Sequence, residues 1–253
     1  MIPAAGEGNR FKEYGYNTLK PLILIDNIPM ITKASSSFPK GDRWIFILPD
    51  RTSTNIVSRE LEGNFGQVEI LKIKQKTQGQ AETCLLAEAK INPMHPLFIA
   101  SCDYEMIYDQ HKFKELVGDK TIDAIIFTCR MGSTLSKNYN AFAYCQTEAS
   151  QSATVTKIVE KKTISNDPGK DPLVIGSFWF RYAKDFVDCA KNTIKNDIRV
   201  NNEYYVASSM NYLIDRGKKI LIFDVDQWIT YGDPFELNIY EFWQDYFYNE
   251  KFK

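Results

Sequence analysis

The feature that most limits how this chain can fold is a series of short, nearly unbroken apolar runs. Arg43 to Pro49, Pro96 to Ala100, Asp123 to Cys129, Val174 to Phe180 and Ile220 to Val225 all read as strands. Such runs suit strands covered on both faces. Helical stretches alternate with them: Ile31 to Ser37, Thr54 to Leu61, Gln80 to Lys90 and His111 to Leu116. In the third of these, Ala81, Leu85, Leu86 and Ala89 share one face. Pro21 to Ile25 reads as a further strand, or half of a hairpin turning at Asp26-Asn27, and Val68 to Ile73 alternates as a strand does. Strand and helix alternation implies a largely parallel sheet with helices on both faces.

After Arg130 the pattern changes. Ala141 to Gln146 and Ala153 to Glu160 read as a hairpin joined by the polar stretch Thr147 to Ser152, which suits an antiparallel section of a mixed sheet. Asn166 to Pro172 is a loop. Asp185 to Asn196 and Tyr204 to Arg216 are helical, the second closed by Gly217. Glu236 to Tyr246 forms an aromatic-rich last helix, whose Tyr240, Phe242, Trp243, Tyr246 and Phe247 suit either core packing or a contact in a homo-oligomer. No repeat or linker divides the chain. A single domain over 1–253 is expected, with a nucleotide-binding half (1–130) and an acceptor-binding half that includes the last helix (131–253).

The chain is long enough, at 253 residues, to bury a full core. Its 31 basic and 32 acidic residues leave a net charge of −1, so no nucleic-acid footprint is present and any phosphate-binding cations must be concentrated locally. The five cysteines (84, 102, 129, 145 and 189) are widely spaced without a C-x-x-C, and there are only two histidines, His95 and His111. This argues against a zinc site or a disulfide framework and for a reducing, cytoplasmic setting. No apolar run approaches the ~20 residues of a membrane span.

Chemistry concentrates at the start of the chain. An apolar strand runs into Ala4-Ala5-Gly6-Glu7-Gly8-Asn9-Arg10-Phe11, and Lys20-Pro21-Leu22 follows. Small residues let a backbone approach a ligand closely, and successive N–H groups in such a turn form a concave anion site. Arg10 and Lys20 add charge-assisted hydrogen bonds to phosphate oxygens, as a nucleoside triphosphate requires. The segment is neither the dinucleotide fingerprint, which needs Gly at position 11, nor a Walker A loop. A lone G-x-G is equally a tight turn after an edge strand. Asp103 follows the run ending at Ala100 and suits a Mg²⁺ ion, with Mn²⁺ as an alternative, because Mg²⁺ takes one or two carboxylates plus phosphate oxygens. The plain alternative for Asp103 is the cap of the following turn. With Glu105 it forms D-x-E, which resembles the metal motif of glycosyltransferases.

The combined pattern A-A-G-x-G-x-R-F with K-P-L resembles the signature of the nucleotidyltransferase family that includes the sugar-1-phosphate pyrophosphorylases. Further segments follow in family order. Gln78-Gly79-Gln80-Ala81 resembles the segment whose backbone lies against the nucleobase, with Gln75, Gln78 or Gln80 available to read its edge. Glu160-Lys161 resembles a pair in which the Glu contacts the acceptor and the Lys its phosphate, Gly176 a glycine that approaches the acceptor, and Glu203-Tyr204 the E-Y that leads a helix. The family's following Pro is replaced by Lys162. A second metal carboxylate is implied late in the chain, where Thr230 and Tyr231 stand at the expected acidic positions, leaving Asp226 or Asp233 as the substitutes favoured over Asp224. The resemblance spans about Ile2 to Leu237. It implies an α/β, Rossmann-like fold (GT-A-like) with a mixed, mostly parallel sheet flanked by helices. It implies that Arg10, Lys20 and Lys161 serve transfer of a nucleotidyl group from a nucleoside triphosphate to a phosphorylated small acceptor. It also implies a first strand longer than the few residues that precede Gly6. The departures at Lys162 and Thr230 resemble the cytidylyltransferases of capsular phosphoramidate biosynthesis, which implies CTP and L-glutamine phosphate. A sugar-1-phosphate nucleotidyltransferase, a glycosyltransferase and a non-catalytic nucleotide sensor are the alternatives.

Overall fold

The structure, a computed structural model, describes residues 1–51, 54–130, 138–149 and 152–250. In chain order it places β1 (Ile2–Pro3), α1 (Asn9–Glu13), β2 (Leu24–Ile25), β3 (Ile28–Pro29), α2 (Met30–Ser36), β4 (Arg43–Pro49), α3 (Thr54–Asn64), β5 (Gln67–Ile73), α4 (Gln80–Leu85), β6 (Leu97–Ile99) and β7 (Tyr104–Ile107). Then come α5 (Gln110–Gly118), β8 (Ala124–Cys129), β9 (Ala143–Thr147), β10 (Val155–Glu160), β11 (Leu173–Phe180), α6 (Ala183–Lys195), α7 (Val206–Ser209), α8 (Asn211–Ile214), β12 (Ile220–Asp224), β13 (Gln227–Thr230) and α9 (Pro234–Glu250).

β1, β4 and β5 pair in parallel, and β8 pairs in parallel with β12. The antiparallel strand β11 lies between β6 and β8. Ala100 N–H donates to the Met1 carbonyl (3.2 Å), which ties β6 to the start of β1 and makes the order β5-β4-β1-β6-β11-β8-β12. The mixed sheet therefore follows the expected class. Successive residues of its strands fall into opposite layers: Phe46 and Leu48 in one with Ile125, Phe127, Trp179 and Phe223, and Ile45 and Ile47 in the other with Ile126, Phe178, Phe180 and Ile222. Both faces are covered, so both parities of each strand are apolar. Phe127 anchors the first layer, its ring 5.2 Å from those of Phe113 and Phe223.

Several expected elements differ. The helix expected over Tyr204 to Arg216 is two short ones, α7 and α8. The Ser209 hydroxyl donates back to the Val206 carbonyl (2.7 Å), a bond that competes with regular helix. The helix expected to run to Lys90 is α-helical only to Leu85 and ends in a 3₁₀ turn over Glu88–Lys90. Residues 21–25 are a 3₁₀ turn and one arm of the β2–β3 hairpin, in which Asp26 and Asn27 take φ of 53° and 63°, as a two-residue primed turn requires. The antiparallel pair β7–β13 was not expected. Ser150 and Gln151 of the expected hairpin connection lie outside the described residues. The five cysteines are free and buried. Among the described residues no helix is long and apolar enough to cross a membrane.

α9 docks through buried Leu237 and partly buried Tyr240. Phe242, Trp243, Tyr246 and Phe247 remain exposed, so the core-packing alternative holds for Tyr240 and not for these four. The Tyr240 hydroxyl donates to Asp26 Oδ2 (2.5 Å), which also accepts from Lys33. Burial works to raise the Asp26 pKa, but the Lys33 ammonium and the Tyr240 hydroxyl outweigh it and hold it below the usual carboxylate range. Tyr240→Phe is expected to cost about 1–2 kcal/mol, read as a lower denaturant midpoint at constant m-value. A midpoint equal to the parent's would show that the bond contributes nothing.

Candidate active site

The carboxyl ends of β1 and β6 lie side by side, and a cleft of about 800 Å³ opens over them. Open α/β sheets place their ligand sites at strand carboxyl ends. Ala4 to Arg10 all line the cleft. Gly8 precedes α1 with φ of 64°, and a Cβ there would sit 3.1 Å from Lys20 Cβ. A Cβ on Gly6 would meet nothing within 4 Å, so this glycine keeps the cleft open rather than relieving a clash. Glu7 accepts from Arg51 (2.5 Å) and Lys12 (3.4 Å), and the Arg51 bond holds its carboxyl below the usual range. Arg10 is largely exposed, with Nη1 3.8 Å from Asp233 Oδ2.

Lys20 reaches the centre of the site. Its Nζ donates to Asp103 Oδ2 (2.6 Å) and to the Gly232 carbonyl (2.7 Å). Burial works against its charge, but Asp103 outweighs burial and raises the pKa above the usual lysine value. Asp233 accepts from the amides of Phe235 (2.9 Å) and Glu236 (3.0 Å), capping α9. Asp226 does not join this group: it is exposed at the far end of β13, whose Thr230 end faces Tyr104. Asp224 instead accepts from Thr128 (2.6 Å) and Arg130 (3.2 Å).

Glu236, not among the acids expected here, is a late carboxylate near Asp103. It accepts from Gly232 N–H (3.0 Å), and a Cβ on Gly232 would lie 3.0 Å from Asp103 Oδ2 and 3.4 Å from Glu236 Oε2. The two carboxylates therefore flank Gly232. Burial raises the Glu236 pKa, a Thr230 hydrogen bond opposes this, and Asp233 and Asp103 add to it. Its signal in the sequence is a first-turn acid after Gly232-Asp233-Pro234, since α9 starts at Pro234, two residues before the expected start at Glu236. Among the described residues no three His, Cys, Asp or Glu side chains form a cage for a metal. Two hard carboxylates lining the cleft fit Mg²⁺, which completes its shell with phosphate and water oxygens.

The Gln-rich segment is only partly in the cleft. Gly79 and Gln80 line it, and Gln80 Nε2 donates to Ser101 Oγ (3.3 Å). Gln75 and Gln78 are exposed outside it, and Ala81 is buried behind it. Gly79 has φ of 123°, and a Cβ there would fall 2.5 Å from the Tyr204 carbonyl oxygen. Its smallness is required by the Tyr204 backbone. At the other end, Glu160, Lys161, Gly176, Glu203 and Tyr205 line the cleft. β11 is bulged between Val174 and Phe178, where Gly176 takes φ of 91°.

No family model matches the chain, and no curated protein matches it in sequence. Solved structures do match. A nucleoside-diphosphate-sugar pyrophosphorylase from Vibrio cholerae RC9 superposes with a TM-score of 0.77 at 19% identity, covering 94% of this chain and 98% of the other. The inositol-1-phosphate CTP transferase from T. maritima gives 0.72 at 14% identity, covering 95% and 92%. A UDP-glucose pyrophosphorylase complexed with UDP-glucose gives 0.72 at 16%, covering 98% and 97%. The chain has the nucleotidyltransferase fold.

Proposed function

We propose that this chain is a nucleotidyltransferase that joins a nucleoside triphosphate to a phosphorylated small acceptor and releases pyrophosphate. The observation that carries the reading is the Lys20 ammonium, held between Asp103 and the Gly232 carbonyl beside the open Ala4–Arg10 turn. The fold shared with the transferase and pyrophosphorylases above supports it.

An acceptor phosphate oxygen attacks the α-phosphorus, the bond to the β-phosphate bridging oxygen breaks, and pyrophosphate leaves with that electron pair. The attacking oxygen is already anionic at neutral pH, so positioning and charge neutralisation supply the catalysis. Lys20 and Arg10 hold the leaving pyrophosphate, and Lys161 holds the acceptor phosphate. Asp103, with Glu236 or Asp233 beside it, would hold Mg²⁺, which neutralises phosphate oxygen charge. The finer reading, CTP with L-glutamine phosphate to give CDP-L-glutamine, rests on the whole-chain resemblance. A hexose-1-phosphate acceptor is the second reading, favoured by the pyrophosphorylase neighbours. The D-x-E glycosyltransferase reading loses its second carboxylate, because Glu105 is outside the cleft with Oε2 3.6 Å from Lys33 Nζ.

Pyrophosphate release from CTP, UTP, dTTP, ATP and GTP with Mg²⁺ is the test, against phosphoglutamine, phosphoethanolamine and hexose-1-phosphates. CTP with phosphoglutamine is expected to react. Reaction only with a hexose-1-phosphate returns the chain to the sugar branch. Triphosphate binding without release from any pair makes it a sensor.

A further inference from the structure

The last helix carries more apolar surface than the fold uses. α9 turns Leu237, Tyr240 and Gln244 inward: Leu237 is buried, and the other two hydrogen-bond Asp26. On its opposite side Phe235, Ile239, Phe242 and Tyr246 recur at steps of four, three and four, the spacing of the seam between two paired helices. Trp243 and Phe247 flank that stripe. The rings support one another: Trp243 lies 5.5 Å from Phe242, 5.8 Å from Tyr246 and 5.9 Å from Phe247. Rings held this way have little rotamer freedom left to lose on association. Phe235, Phe242, Trp243, Tyr246 and Phe247 are between 48% and 68% exposed, which at ~200 Å² per aromatic side chain leaves about 600 Å² open on each copy. That is the upper end of what a monomer leaves uncovered. Two such faces together reach the ~1,200 Å² at which specific interfaces begin.

The charges on α9 separate the occupants. It carries Glu236, Glu241 and Asp245 and no lysine or arginine, so an anionic bilayer does not fit it. A second copy does. An isologous contact sets one stripe against its own copy. Aromatic residues are the enriched type at interface centres. A net charge of −1 puts little repulsion between copies. We propose that the exposed α9 face is the contact of a symmetric dimer, with Phe242 and Trp243 as its central anchors. The pairing goes beyond the nucleotidyl-transfer reading and does not depend on it.

Analytical sedimentation of the full chain across the micromolar range tests it. A mass of twice 29.2 kDa is expected, falling toward one copy on dilution. Trp243→Glu and Phe242→Ser should each weaken association by about thirtyfold or more, as the loss of a central aromatic anchor does. Both side chains are at least half exposed, so the unfolding midpoints of the two variants, taken at a dilution where the parent is also monomeric, should match the parent's. Ile198→Ser is the control. Ile198 is exposed beyond α6, which covers the opposite layer, and its loss should leave the dimer intact. A parent that sediments as one copy throughout overturns the proposal. So does a dimer that survives both α9 substitutions, or one lost equally with Ile198→Ser. Parent that stays monomeric and binds vesicles of phosphatidylcholine with phosphatidylserine, through Trp243, overturns it in favour of a bilayer.

Discussion

Lys20→Met is expected to lower pyrophosphate release by about 10²–10³-fold, the cost of removing one preorganised charge from a transition state. The lysine follows Leu19 at the start of a 3₁₀ turn whose second residue is Pro21, so its backbone is well set. Its ammonium is held at 2.6 Å from Asp103 and 2.7 Å from the Gly232 carbonyl. Because its pKa is raised above the usual lysine value, it stays charged throughout the neutral range. Methionine keeps most of the apolar stem and removes the ammonium, with its charge and its donors to Asp103 and the Gly232 carbonyl. The loss should appear in kcat and in kcat/KM together, because the charge on the leaving group grows in the transition state. A purely structural lysine would predict a lower unfolding midpoint with kcat within a few-fold of the parent, and that outcome would remove Lys20 from the mechanism.

Gly79→Ala is the substitution expected to harm the fold most. Its Cβ would lie 2.5 Å from the oxygen, 2.6 Å from the nitrogen and 3.0 Å from the carbonyl carbon of Tyr204, all backbone atoms. The backbone also stands at φ of 123°, which side chains rarely adopt. Clash and strain together should cost about 3–5 kcal/mol. Chemical denaturation of the purified variant measures this. Gly6→Ala is the comparison, since its Cβ meets nothing within 4 Å. Its stability should stay within about 0.5 kcal/mol, while triphosphate affinity falls if the turn wraps phosphates. A Gly79→Ala variant as stable as Gly6→Ala would refute the packing argument.

The strands were legible because both of their faces are covered: Ile45 and Phe46, or Phe178 and Trp179, are both apolar though they serve different layers. β7 and β13 escaped notice because each has only four residues, and Tyr104-Glu105-Met106-Ile107 carries a charge paired with Lys33. In the site, the turn at Ala4–Arg10 and the cations at 10 and 20 could be read from spacing, since one local segment holds them all. Glu236 could not. Its approach to Asp103 depends on where β13 lands after a crossover of more than a hundred residues, which no local pattern records. Gly79 was visible as a residue, but its reason was not: the backbone it accommodates belongs to Tyr204, far along the chain.

That contact binds two loops into one piece. Tyr204 N–H donates to the Gln78 carbonyl (2.7 Å), and Ala81 N–H donates to the Tyr204 carbonyl (3.0 Å). Gln80 opens α4 directly after one loop, and Glu203 and Tyr205 stand on the other. Their spacing is set when the chain folds, before any small molecule arrives. Ordering these groups is thus part of the free energy of folding, and little of that cost remains to weaken association.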